Sequence, residues 1–317
     1  MMDQIKINGI RLNKNFIQIT QGEFDVRDQT GYPLYQTMET HRLNMVFMVL
    51  NTVGSLPFVS GSIPSKHFKK MPRQAGDWTS HPNVCTVSIY PHHYRLQLLG
   101  GLLSFLGGQK MSFQHMVSSN AMITFVVDQH HCDGFVEMIS SNFDLPESHV
   151  PFEQEENDEL TQFLKKKYPE TRATYVEEKI KTYGVTLVSD LTLEMYPLSF
   201  DQAVAFGKHL QSLEDKADTF SHVSAHMMYP EQIHLFLVTA KSPGMPARQA
   251  CPVELLSFHG PHFGDRHSII SRALNCLVQK SIPVLQTGCT GASISMVLPR
   301  GKGAAAKQAL MDVFEGP

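Results

Sequence analysis

"RLQLLGGLLSFLGGQKMSFQHMVSSNAMITFVV" (residues 95–127) aligns without a gap on "RHSIISRALNCLVQKSIPVLQTGCTGASISMVL" (residues 266–298). Each copy reads as a helical apolar period, a short polar joint, a strand, a four-residue turn and a second strand. The helix stripe is Leu96, Leu99, Leu102, Leu103 and Leu106 in one copy, and Ile269, Ile270, Ala273, Leu274 and Leu277 in the other. The turns, SSNA at 118–121 and CTGA at 289–292, are flanked by apolar residues, as a hairpin requires. A second match lies upstream in the same order: "IKINGIRLNKNFIQI" (5–19) on "IKTYGVTLVSDLTLE" (180–194). Two matches in one order make the chain a repeat of two halves.

Within a half the pattern repeats as strand, helix, strand, strand, helix, strand. The clearest instance runs through strand 84–90, helix 95–106, strands 111–117 and 121–127, helix 131–142 and strand 150–153. This order predicts the α+β class: four ferredoxin-like βαββαβ units in tandem, paired side by side into continuous antiparallel sheets. The expected boundaries are 1–80, 81–154, a helical connector at 155–182, 183–248 and 249–317. The third unit is read as strand 191–196, helix 200–213 and strands near 220–226 and 232–238. The first is least regular, because Gly31 and Pro33 crowd the place of its first helix. Pro169 breaks the connector in two, with acidic residues early and lysines late in its first piece.

The bulk numbers exclude several classes. A chain of 317 residues, 42% hydrophobic and 18% charged, is globular, and its net charge of −3 offers nucleic acid no basic surface. The first fifteen residues hold no apolar signal core, and the longest apolar runs are broken by Asn, Gly and Pro, so no membrane span is expected. Five scattered cysteines without a Cys-x-x-Cys pair suit reduced thiols in a cytoplasmic protein.

"VSIYPHHYRLQLLGGLLSFLGGQKMSFQHMVSSNAMITFVVD" (87–128) resembles the ACT domains that form the regulatory part of aspartokinases. Met116, Val117, Ser118, Ser119 and Asn120 stand where that family has Met-Ile-Ser-Thr-Ser. "SFHGPHFGDRHSIISRAL" (257–274) matches its strand-loop-helix segment, and "GIRLNKNFIQIT" (9–20) is similar to the segment that opens its first module. The resemblance implies a non-catalytic amino-acid-binding regulator linked to aspartate-family amino-acid metabolism, without cofactor, whose partner is an amino-acid biosynthetic enzyme. Within these 317 residues it leaves no room for a kinase domain. Both a monomer, as a pseudo-dimer of ACT pairs, and a homodimer fit.

In such a domain the loop before the first helix exposes unpaired N–H groups at the helix's positive end, where a carboxylate is stabilised. The expected ligand residues are therefore Gly264, Asp265, Arg266, His267 and Ser268, with Gln286 and Thr287. Their counterparts are His92, His93, Tyr94 and Arg95, with Ser118, Ser119 and Asn120 across the pair. Asp265 or Ser268 serving only as a helix cap is the alternative for those residues. The family's Pro-Gly at the helix start is His267-Ser268 and Leu96-Gln97 here, and its glutamate after Ser-Thr-Ser is Ala121 and Ala292. These losses favour the rival function, a structural protein–protein interaction module with degenerate effector sites.

No metal site is expected: His92–His93 and His130–His131 are adjacent pairs, which on a strand point to opposite faces. His259, His262 and His267 lack a carboxylate or cysteine at ligand spacing. Cys132 and Cys289 have no ordered base beside them, so buried inert thiols are expected, with Asp133 as a first-turn helix carboxylate.

Overall fold

The computed structural model describes residues 5–22, 33–54, 57–71, 78–146, 152–153, 179–213, 218–228, 232–260, 268–291 and 293–315. The first half contains β1 (Gly9–Gly22), α1 (Leu34–Thr40), β2 (Phe47–Asn51), β3 (Phe58–Pro64), β4 (Trp78–Tyr90), α2 (Leu96–Gly108), β5 (His115–Ser118), β6 (Ile123–Asp128), α3 (Cys132–Asn142) and β7 (Phe152–Glu153). The second contains β8 (Ile180–Lys181), β9 (Val185–Leu198), α4 (Phe200–Gln211), β10 (Phe220–Met228), β11 (Gln232–Thr239), β12 (Gln249–His259), α5 (Ile269–Gln279), β13 (Gln286–Thr290), β14 (Ser293–Pro299), α6 (Gly303–Leu310) and β15 (Phe314–Glu315). The repeat read from the sequence is thus a repeat of structure. The expected connector lies almost wholly outside the described residues.

Thirteen described strands form one sheet, in the order β3-β2-β13-β14-β12-β9-β11-β10-β5-β6-β4-β1-β7, and an additional β1–β3 pairing closes it into a ring. Closure leaves no open edge among the ring strands, which removes a template for edge-to-edge association. The main strand ladders between the two halves are antiparallel β10–β5 and β13–β2. Side-by-side joining into continuous antiparallel sheets is therefore present. One apolar cluster gathers α2, α3 and α4 onto one stretch of sheet, and another gathers α1, α5 and α6 onto the opposite stretch. Two smaller clusters, around Met195 and Phe236 and around Phe16, Phe47 and Phe58, fill the space between the sheet layers. The layers are helix, sheet, sheet, helix.

The long strands explain how one half feeds two sheet regions. β1 pairs with β4 from Gly9 to Gln21, across register slips between Asn13 and Gln18, and with β3 only from Phe16 to Gly22. β9 behaves alike, pairing with β12 on both sides of a slip and with β11 only from Thr192 onward. At each slip one residue takes the left-handed conformation, Asn15 (φ 66°) and Asp190 (φ 57°). These are the aligned Asn/Asp of the repeat, the two side chains besides glycine that tolerate that conformation best.

Local chemistry also fixes the helices. α1 begins directly after Pro33, so that proline starts the helix rather than obstructing it, its ring-fixed φ of −57° suiting a first turn. α4 has a complete capping box: the Gln202 N–H donates to Ser199 Oγ, and the Ser199 N–H donates to Gln202 Oε1 at 2.8 Å. After β11 the chain runs through residues 240–248 without a helix, so the third unit lacks the second helix of the expected plan. No helix of the described residues is long and apolar enough to cross a membrane.

α1, α2 and α5 end the same way. Leu43, Met111 and Ile282 donate back to Met38, Leu106 and Leu277, while Arg42, Lys110 and Ser281 hold positive φ near 50°. This is the Schellman closure, made without glycine. Lys110→Gly is expected to raise stability by about 0.5–1 kcal/mol and Lys110→Val to lower it by about 1 kcal/mol, because only the former relieves the left-handed strain. Urea midpoints of the two variants check this.

Candidate functional site

The loop from Pro91 into α2 is held by one histidine. His92 is fully buried. Its Nδ1 accepts the Tyr94 N–H at 2.8 Å, so the proton sits on Nε2, which donates to the Ser119 carbonyl at 2.8 Å. The ring packs against Tyr94 and Phe220. Burial is the main cause holding its pKa below the ordinary value, with the Ser119 hydrogen bond opposing and the nearby His93 reinforcing. His92 thus ties the α2 loop to the β5–β6 turn, as a neutral tautomer.

What faces this loop is the start of β10. Phe220 N–H donates to Tyr94 O at 2.9 Å, Arg95 bridges to Thr219, and Leu96 N–H donates to Asp218 O at 3.4 Å. Asp218 is itself paired with Lys241 at 3.1 Å. The positive end of α2 is therefore already met by a carbonyl of the second half. His93 and Arg95 are exposed and Tyr94 is half-buried. Ser118 accepts the Val223 N–H at 2.9 Å and its hydroxyl lies 3.3 Å from His222 Nδ1. Ser119 closes the β5–β6 turn onto Met122. Asn120 Nδ2 lies 3.5 Å from His259 Nδ1. The structure thus brings His92, Ser118 and Ser119 together in one junction, and leaves His93, Arg95 and Asn120 at its surface.

Of the corresponding second loop, Gly264, Asp265, Arg266 and His267 lie outside the described residues. Ser268 precedes α5 at φ 78° and makes no side-chain cap, which answers the capping alternative for that residue. Beside it is a cleft of about 20 Å³ bordered by Tyr35, Met38, Met48, Ile269 and Cys289, the space of a single water. Gln286 turns elsewhere: its Nε2 donates to Asn51 Oδ1 at 2.8 Å and its Oε1 receives Ser224 Oγ at 3.5 Å. Thr287 is fully buried, and its hydroxyl has no partner among the described residues.

His130 and His131 lie in a short 3-10 turn, not on a strand, and there adjacent residues do not alternate faces. Their rings sit 3.8 Å apart between centroids. With Asp128 they place three donor atoms within 4.8 Å of one another, an arrangement the strand argument did not foresee. Cys132 is buried, as expected, and packs on Cys85, whose pKa is pushed far up by the Cys132 contact and by burial. Cys289, expected to be buried, is a half-buried residue, although desolvation pushes its thiol up to about 12. Asp133 lies in the first turn of α3.

Sequence reading passed over the interior between the sheets, where His115, His222 and His226 are buried, Thr124 bonds Thr290 at 2.7 Å, and His115 and His226 pack on Phe58. The only sign was polar residues at positions of alternating strands where apolar ones are usual.

The ring of paired sheets with helices outside, and the junctions that hold the helix-leading loops against a neighbouring strand, define an ACT-like ferredoxin-type α+β fold. Among solved structures the chain matches, over its full length, the aspartate kinase from Synechocystis, with a TM-score of 0.72 and 11% identity. It spans 58% of that kinase chain. Regulatory subunits of aspartate kinase from Thermus thermophilus and Thermus flavus align with 44% of this chain and 99% of their own, at 12% and 11% identity and TM-scores of 0.38 and 0.37. No protein-family model and no curated protein matches the sequence. At 11% identity the likeness is one of fold.

Proposed function

We propose that this chain is a non-catalytic regulatory protein of the ACT type, which binds a free amino acid and acts on an enzyme of aspartate-family amino-acid biosynthesis. In this reading it comprises four ACT-type units with the boundaries given from the sequence. The observation that carries it is the pair of side-by-side junctions, β5–β10 and β13–β2, which join the sheets of the two halves. The first of them sets the loop before α2 against a strand of the other half. The full-length likeness of fold to an aspartate kinase supports the metabolic link. A ligand there shifts a conformational equilibrium only through unequal affinity for the two states.

Binding is assigned to the loop at Gly264, Asp265, Arg266 and Ser268 rather than to the loop at His92–Arg95, because Asp218 and Thr219 already engage the backbone at the start of α2. That closed first loop favours the rival reading, a structural interaction module without a ligand. A thermal-shift screen against the twenty amino acids separates the two. One amino acid is expected to raise Tm saturably, by about 2.7 kcal/mol of stability at a hundred times Kd. Arg266→Ala should weaken it and Arg95→Ala should leave it unchanged. A flat response across the panel leaves the structural module as the function.

A further inference from the structure

The sheet layers part to leave a cavity of about 820 Å³. That volume is in the range of sites for small organic ligands. One wall carries His226 of β10 and His234 of β11, which stand opposite each other in register with rings stacked at 5.1 Å. The apolar part of the remaining lining is Val53, Met195, Phe236, Leu285 and Pro252, beside polar Asn51, Thr52 and Gln249.

Three features give the cavity a polarity. Arg248 stands at its rim, exposed, its backbone N–H anchored on Met195 O at 2.9 Å, and its guanidinium has no acidic partner among the described residues. No aspartate or glutamate is among the described residues that line the space. His226 is more than nine-tenths buried, and its ring makes aromatic contacts with Phe58, His234 and Phe236 but no hydrogen bond among the described residues. Its nitrogens are not among the fully enclosed polar atoms, so they are open to whatever occupies the cavity, a ligand group or water.

We propose that this cavity is a ligand site, separate from the amino-acid loops, that takes a small carboxylate with an apolar body. The carboxylate pairs with Arg248 at the rim, where a guanidinium offers a two-pronged donor, and the apolar body lies over Met195, Phe236 and Leu285. The His226 ring supplies or receives one hydrogen bond at depth.

Cys251, half-buried in the same wall, provides the readout. The probe is 3-phenylpropionate, compared with its neutral amide, on the full chain. Iodoacetamide labelling of Cys251, located by mass spectrometry at pH 8.5, is expected to slow at least tenfold at saturating carboxylate, with much weaker protection by the amide. R248Q, a change at an exposed side chain, should weaken carboxylate protection at least tenfold and leave the amide's unchanged. Calorimetry with 3-phenylpropionate gives an independent measure. Absence of both protection and heat would overturn the site, and equal protection by acid and amide would overturn its assignment to an anion. Arg266→Ala should not alter Cys251 protection, so failure of the amino-acid screen and failure of this site are told apart.

Discussion

Gly207→Val is expected to cost on the order of 3 kcal/mol or more, enough to unfold much of the population of an ordinary domain. α2 and α4 cross at glycines, and this crossing joins the two halves on one side of the molecule. A Cβ at Gly207 would lie 2.4 Å from the Gly100 carbonyl oxygen and 2.6 Å from the Ser104 nitrogen. One at Gly100 would lie 2.5 Å from Gly207 O, and one at Gly107 would lie 2.4 Å from Phe200 O. These obstacles are helix backbone, which cannot rotate aside as a side chain can, so the helices must separate and strip contacts from the leucine stripe of α2. Gly134 in α3 is the control, since nothing lies within 4 Å of its added Cβ. Gly134→Ala should stabilise by about 0.5–1 kcal/mol through helix propensity alone. Urea unfolding of both variants tests the pair. A Gly207→Val protein with an unshifted midpoint would refute the close crossing.

The second large effect is acid lability. Burial holds His115 and His226 at about 3 and His222 at about 4 in the folded chain. Neighbouring imidazoles reinforce this, His81 for His115, His92 for His222, and His115 with His234 for His226. In the unfolded chain each titrates near the ordinary value of about 6.5. Since the folded pKa lies below the unfolded one, the unfolded chain binds more protons between these limits. Stability is then fully present above about pH 6.5 and is lost as pH falls through the folded values. With three such protons the slope near pH 5 reaches about 4 kcal/mol per pH unit, so unfolding is expected between about pH 5 and 4. Urea midpoints from pH 7 to 4.5 read this directly, and His115→Leu should reduce the slope by about a third. A flat midpoint over that range would show that the three rings are not buried together in the neutral form.

Much of this architecture was legible in the chain because its cause is local. The period of Leu96, Leu99, Leu102, Leu103 and Leu106 makes α2 amphipathic whatever surrounds it, and the aligned stretch at α5 does the same. Strand alternation and the SSNA and CTGA turns located β5–β6 and β13–β14. The aligned Asn15 and Asp190 marked a shared event in two long strands, although only the coordinates show it to be a left-handed bulge. The first helix was harder to read, since Pro33 signals a break to a pattern and a start to a helix.

The candidate site was legible only in part. His92, Tyr94 and Arg95 were found by repeat and resemblance, but what occupies the space before them, Asp218–Phe220, comes from more than a hundred residues away. Gln286 was expected beside the second loop, and its amide instead reaches Asn51 and Ser224. The cavity between the sheets was not legible in the sequence, because the β10–β11 pair His226 and His234 is enclosed by Val53, Leu285 and Pro299, which come from remote segments.

The sequence by itself determined the repeat, the α+β order and the helix faces, all consequences of period and turn chemistry within some thirty residues. Only the tertiary structure decided the closure of the sheet, the glycine crossing of α2 on α4, and which polar groups end up buried. Those depend on the distance between segments remote in the chain, and no local pattern carries a distance.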